Sequence, residues 1–203
     1  MLDKTATIEK FLDAAAAKQP TPGGGSVSAL AGALAAAMGE MVVNYSIGKK
    51  GLEAQQDKLK AALAEFTRAR GMMLELMVED QAAFGELSGA RKSQDAKKIA
   101  AAVMICINVP LTMAATAVAV IELAESLVGG VNKFLLSDLA VCAELAMATV
   151  RCALHNVQVN LPEIESAPEQ KRIEQEQTRL LVLAVEAIKR VIPAVWDRAN
   201  GGS

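Results

Sequence analysis

The stretch Pro20-Thr21-Pro22-Gly23-Gly24-Gly25-Ser26 stands directly before a long apolar segment rich in alanine. Proline fixes φ and donates no backbone hydrogen bond, so residues 19–22 are expected to be extended and outside any helix. Three glycines in a row then permit close backbone approach. A helix beginning near Ser26 leaves its first amide N–H groups pointing back into that loop, where an oxygen or partial negative charge can meet them. A glycine run alone reads equally as a linker or a simple turn. The helix behind it changes that reading. It is expected over 26–46, and Ser28, Gly32 and Ala36 recur every four positions along it, as do Ala29, Ala33 and Ala37. Small residues at that spacing share one face and let another helix pack very closely. This is therefore expected to be a central or interface helix, and its polar pair Glu40 and Asn44 needs partners if buried.

The other segments follow the same period. No run of strand formers alternates with polar residues. Apolar residues make up 52% of the 203 but aromatics only 3%, so Ala, Leu, Val and Met must fill the core. The expected fold is all-α, one domain over 1–203, a multi-helix bundle with long up-and-down helices. A first helix is expected over 7–18 with Thr7 as its cap, and a long third helix over 52–88. Pro110 is expected to divide the next stretch into two helices, 93–108 and one from 110 to the pair Gly129-Gly130. Ser137-Asp138 is expected to cap a helix ending near Asn160, and Ser166 one over 167–199, bent at Pro193.

A formal net charge of -2 argues against nucleic acid or an anionic membrane as a partner held by bulk charge. Residues 99–121 carry no charge and are long enough to span a bilayer. Asn108-Val109-Pro110 interrupts them, so two buried helices are expected there instead of a span. The N-terminal Met1-Leu2-Asp3-Lys4 opens no signal-peptide hydrophobic region. Cys106, Cys142 and Cys152 are expected to be buried free thiols in a reducing, cytoplasmic setting.

One residue carries chemistry on position alone. Phe66, Met73, Asp80 and Leu87 lie seven apart, so Asp80 shares a helix face with apolar neighbours. An acid there is paired, capped by donors, or functional. Other signals are weaker. Cys152-x-x-His155 is too little for a metal site, no phosphate-binding glycine motif with Lys-Ser/Thr is present, and Lys49-Lys50 reads by default as a solvated turn.

Taken together, Pro20 to Ser26, the Ala-rich helix and Gly48-Lys49-Lys50 resemble the formimidoyltetrahydrofolate cyclodeaminase / methenyltetrahydrofolate cyclohydrolase family. Glu79-Asp80-Gln81-Ala82-Ala83-Phe84, Val109-Pro110-Leu111, Asn132, Ser137-Asp138 and Asn156-Val157-Gln158-Val159-Asn160 continue the likeness in order. It spans about residues 8–162, and Gly129-Gly130 departs from the family's more charged approach to the asparagine. The resemblance implies an all-α homodimer holding a folate between helices, with no metal and no cofactor beyond the folate itself. It implies cyclohydrolase activity first, since no formiminotransferase segment precedes the matching region, and cyclodeaminase activity as the alternative. A non-catalytic folate-binding or scaffold protein is the reading from another class. By this resemblance Asp80 is the expected base or proton shuttle and Lys49 the charge stabiliser or proton donor. Lys50 is assigned to the glutamate tail, Pro22 lines the site, and Gly23, Gly24, Gly25 and Ser26 offer it backbone and hydroxyl donors. Ser137, Asp138, Asn156 and Asn160 are assigned to the pterin's amide edge, with Asn44, Phe84 and Pro110 as further substrate contacts.

Overall fold

The computed structural model describes residues 4–201, so the expectations resting on Met1-Leu2-Asp3 and on Gly202 lie outside the described residues. Six α-helices follow one another there: α1 (Ile8–Ala16), α2 (Gly24–Asn44), α3 (Gln56–Ser93), α4 (Ala96–Leu127), α5 (Leu136–Asn160) and α6 (Ala167–Ala199). Short 3₁₀ turns at Glu53–Gln55, Lys133–Leu135 and Leu161–Glu163 join them, and no strand occurs among the described residues. The chain is an all-helical single domain.

Local signals explain most helix ends. Thr7 accepts from the Lys10 amide at 3.2 Å and caps α1. Asp95 accepts from Lys97 and Lys98 at 3.0 and 3.2 Å and caps α4, and Ser166 accepts from Glu169 at 3.4 Å to cap α6. α3 runs five residues past its expected end and stops where Gln94 takes a left-handed φ of 56°.

Two expectations are corrected. The pair of helices expected to meet at Pro110 is one continuous helix, α4, with Pro110 inside it. Proline there removes the N–H that would bond the Cys106 carbonyl, at a local cost of about 3 kcal/mol. Burial of Val109, Pro110, Met113 and Ala114 against the surrounding helices offsets it. The second correction concerns Ser137-Asp138, which do not cap α5. The helix begins at Leu136 with no side-chain cap, and Asn132 serves the preceding 3₁₀ turn by accepting from the Phe134 amide at 3.2 Å.

The α2–α3 pair is the centre of the bundle, and it is built on glycine. An added Cβ at Gly39 would lie 2.5 Å from the Phe66 ring, and one at Gly32 would lie 2.8 Å from the Met73 sulfur. One at Gly25 would lie 2.5 Å from the Asp80 carboxyl carbon. Residues seven apart on α3 therefore sit on glycines seven apart on α2, in opposite chain order. The two helices are antiparallel, and each large side chain of α3 fills the space left by one missing Cβ.

α5 also lies antiparallel to α2, because Asn156 reaches Gly24 at one end and the Asn132 amide donates to Ser46 Oγ at 2.9 Å at the other. α4 and α6 close the bundle around a core of Ala, Val, Leu and Met. α2 and α4 are long and apolar enough to cross a membrane, yet 56% and 50% of their most apolar windows are buried inside the bundle. Their composition answers to packing.

Candidate active site

The first turn of α2 brings a hydroxyl and a backbone amide to one carboxylate. Gly23 precedes the helix in extended conformation, and Gly24, Gly25 and Ser26 form its first turn. Helix N-termini have free amides and a positive dipole end. The anion that meets them is the chain's own Asp80. Its Oδ2 accepts from Ser26 Oγ at 2.7 Å, and its carboxylate also takes a bond from the Ser26 amide. Gly25 is obligatory here because a side chain would occupy the carboxylate's place. Burial pushes the Asp80 carboxyl above the usual carboxylate range, and the two Ser26 bonds pull in the opposite direction without cancelling it.

In front of this pair opens a cleft of about 280 Å³. The loop contributes Pro20, Thr21, Gly23, Gly24 and Gly25, and α3 contributes Asp80, Ala83, Phe84, Leu87 and Arg91. Cys106 and Val109 come from α4, and Asn156, Val159 and Asn160 from the last turns of α5. The two asparagines use their amide N–H groups within their own helix. Asn156 Nδ2 donates to the Cys152 carbonyl at 2.8 Å and Asn160 Nδ2 to the Asn156 carbonyl at 2.9 Å. Their side-chain oxygens are left to accept, which suits a ligand edge rich in N–H. The Cys106 thiol is raised above its ordinary value by burial first and by the Asp80 charge second, so it stays protonated.

Larger hollows lie elsewhere. One of about 520 Å³ runs between α3 and α4 past Met72 and Thr116, and one of about 430 Å³ between α5 and α6 past His155. Neither holds a buried acid against a helix N-terminus. The chemistry therefore favours the smaller cleft.

Of the residues expected to act, the cleft gathers Gly23, Gly24, Gly25, Asp80, Phe84, Asn156 and Asn160. Ser26 stands behind Asp80, Pro22 is buried in the loop, and Pro110 is buried in α4 next to Val109. The remaining expected residues are at the opposite end of the bundle. α2 is 21 residues long, which separates its ends by about 30 Å. Asn44 is exposed at its far end, and Lys49 and Lys50 follow in the turn between Gly48 and Gly51. Lys49 Nζ sits 5.4 Å from the centre of the Phe134 ring, and Ser137 and Asp138 lie in the first turn of α5 beside it. Within this chain Lys49 does not face Asp80.

Arg91, Leu87, Cys106, Val109 and Val159 line the cleft without being among the expected substrate contacts. A signal was available for two of them. Asp80, Phe84, Leu87 and Arg91 are spaced four, three and four, which keeps them on one helix face. Glu40, by contrast, pairs with Arg70, bonding Nη2 at 3.3 Å and also Nε, and Asn44 has no part in that pair. Of the three cysteines only Cys142 is fully buried, which pushes its thiol up to about 12; Cys106 is half-buried and Cys152 is exposed. Among the described residues no three His, Cys, Asp or Glu side chains come together as a metal site would require.

A sequence profile of the formiminotransferase-cyclodeaminase family matches residues 7–179. A methenyltetrahydrofolate cyclohydrolase of Methylorubrum extorquens is 32% identical over 203 residues, covering 96% of this chain and 98% of that protein. The formimidoyltransferase-cyclodeaminase of Gallus gallus is 28% identical over 96% of this chain, which spans 38% of that longer protein. The crystal structure of a formiminotetrahydrofolate cyclodeaminase from Thermotoga maritima superposes with a TM-score of 0.92 at 28% identity, covering 96% of this chain and 98% of that one. The glycine-seated acid and the asparagine-lined cleft thus occur in a chain that belongs to the formiminotransferase-cyclodeaminase family.

Proposed function

We propose that this chain is a methenyltetrahydrofolate cyclohydrolase, which hydrolyses 5,10-methenyltetrahydrofolate to 10-formyltetrahydrofolate in folate one-carbon metabolism. The observation that carries the chemistry is Asp80, a partly desolvated carboxylate held by Ser26 at the floor of a cleft lined with acceptors. The full-length likeness to a relative named for this activity supports the choice of reaction.

Water attacks the carbon bridging N5 and N10: a C–O bond forms, the C=N π pair moves onto nitrogen, and a water proton passes to Asp80. A carboxyl raised toward the working pH both accepts that proton and returns it. The tetrahedral carbinolamine then breaks its C–N5 bond. The electron pair goes to N5, which takes the proton back from Asp80. Loss of the hydroxyl proton leaves the formyl group on N10, so each turnover consumes one water and releases one proton. The oxygens of Asn156 and Asn160 accept from the pterin's amide and amino N–H groups, and Phe84 covers the adjoining aromatic ring. No cofactor beyond the folate is needed for this sequence.

The functional unit in this reading is a cytoplasmic homodimer. α2 presents Val27, Ala31, Leu34, Met38, Met41 and Tyr45 on a stripe spaced four and three, and none of these is fully buried. α5 does the same with Val141, Leu145, Ala148, Cys152, His155 and Val159. Two adjacent antiparallel helices with open stripes at coiled-coil spacing suit a second copy. A two-fold axis lying in that face and across the helices brings the Lys49 end of one copy to the Asp80 cleft of the other. Lys49, Lys50, Ser137 and Asp138 then act in trans, with Lys49 stabilising the negative charge that develops on N5 as the ring opens.

The test is direct. Purified protein is expected to speed the loss of the near-ultraviolet absorbance of 5,10-methenyltetrahydrofolate. Ammonia release from the formimino substrate with no such acceleration rejects this reading in favour of cyclodeamination. Neither activity leaves a folate-binding or scaffold role.

A further inference from the structure

Beside the small Ala83, the face of α3 that lines the cleft carries four larger side chains in a set order: Asp80, Phe84, Leu87 and Arg91. Eleven residues separate the first from the last, just over three helical turns and a rise of about 16 Å. The order is a buried acid, a half-open aromatic ring, an aliphatic side chain and a cation at the rim. Phe84 is 43% exposed although it is large and apolar, so its ring is presented to the cleft and not to the core. Arg91 is the one cationic side chain lining the cleft among the described residues. Its Nη2 donates to Glu163 Oε1 at 2.6 Å, an acid on the 3₁₀ turn after α5. That contact ties the guanidinium to the turn between α5 and α6. A guanidinium carries five N–H donors in a planar fork, so one bond to Glu163 leaves donors for a further carboxylate.

A reduced folate has the same order of groups: a reacting carbon beside its pterin, then a benzoyl ring, an amide, and a glutamate with two carboxylates. We infer that Arg91 binds a carboxylate of the substrate's glutamate tail, with Phe84 against the benzoyl ring and Leu87 under the amide. This assignment rests on the folate reading above and sharpens it. It gives the tail to Arg91, the cation this chain's own cleft supplies, whereas Lys50 lies at the far end of the bundle and reaches the cleft only from a second copy. The contact is at the rim, distant from the reacting carbon, so it acts on substrate binding more than on the chemical step. Arg91 is half-exposed, which makes its attraction sensitive to ionic strength.

The experiment compares two substrates. One is 5,10-methenyltetrahydrofolate. The other is 5,10-methenyltetrahydropteroate, which keeps the ring, the reacting carbon and the benzoyl group but lacks the glutamate. Wild-type protein is expected to show a KM about tenfold or more lower for the first, as a charge-assisted hydrogen bond gives. Arg91→Ala is expected to remove most of that preference, raising KM for the glutamate substrate alone with kcat within about twofold and weakening its salt dependence. Arg91→Lys is expected to recover part of it, because the charge remains and the fork is lost. An Arg91→Ala variant that raises KM equally for both substrates, or for neither, overturns the assignment while leaving the cyclohydrolase reading in place. Wild-type protein that turns over neither substrate overturns both.

Discussion

Phe66 on Gly39 and Asp80 on Gly25 are one packing device with two contents. In both, a side chain of α3 fills the space of a missing Cβ on α2, and the two sites are fourteen residues apart on each helix. They differ in what the α2 backbone offers. Gly39 lies in the middle of the helix, where the amides are engaged in the i to i−4 ladder, and a fully buried ring fills the space. At Gly25 the helix is beginning, its amides are free, and a carboxylate can be held by the Ser26 N–H and hydroxyl. The same repeat that builds the core thus delivers an acid to a cleft once it runs off the end of the helix. A buried acid needs donors, and a helix N-terminus is where they are unspent.

The comparison can be broken by filling each space in turn. Gly25→Ala puts a methyl group where the Asp80 carboxylate sits, and that short side chain must swing away. The expected result is a fall in hydrolysis rate of about 10²–10⁴, the worth of a positioned acid–base group, with less than about 1 kcal/mol lost in stability. Gly39→Ala meets a ring with nowhere to go. It is expected to cost about 1–3 kcal/mol, seen as a lowered Tm, with the rate per folded molecule within about threefold. Equal losses of rate and stability in the two variants would dissolve the distinction. Ser26→Ala is the mildest change. It removes a bond that lowers the Asp80 pKa, so the acidic limb of the kcat/KM profile is expected to move to higher pH. A limb that stays in place or moves to lower pH contradicts the assignment of that limb to Asp80.

Several parts of this arrangement could be read without coordinates. The bounds of α6 and its Ser166 cap follow from local chemistry, and the helix observed is Ala167–Ala199 as expected. Asp80 stood out because its seven-residue spacing set it among apolar side chains. The matching seven-residue spacing of Gly25, Gly32 and Gly39 was equally present, but spacing on one helix does not say which helix will pack there. Pro110 misled for the opposite reason. Its local cost is real, and only the burial around it, a tertiary effect, keeps α4 whole. Arg91 was hidden by position, since the polar run from Arg91 to Asp95 resembles a connection while α3 in fact extends through Ser93. The separation of Lys49 from Asp80 depends on the length and antiparallel order of α2 and α5, which become visible only once the helices are placed.

The central claim is that the acid held at Gly25 moves the proton in hydrolysis, and Asp80→Asn tests it most directly. The amide keeps the size of the acid and can still accept from Ser26, but it cannot take up a proton. Stability separates the two accounts. The folded carboxyl has a raised pKa, so below the unfolded carboxylate range of about 3.9 it is neutral in both states and contributes no penalty. The penalty grows as pH rises through the folded value and persists above it. At pH 7, Asp80→Asn is therefore expected to hold or raise Tm while hydrolysis of 5,10-methenyltetrahydrofolate, followed by its near-ultraviolet absorbance, falls about 10²–10⁴-fold. Turnover within a few-fold of wild type, above all with a lowered Tm, would show Asp80 to be a structural acid and contradict the account.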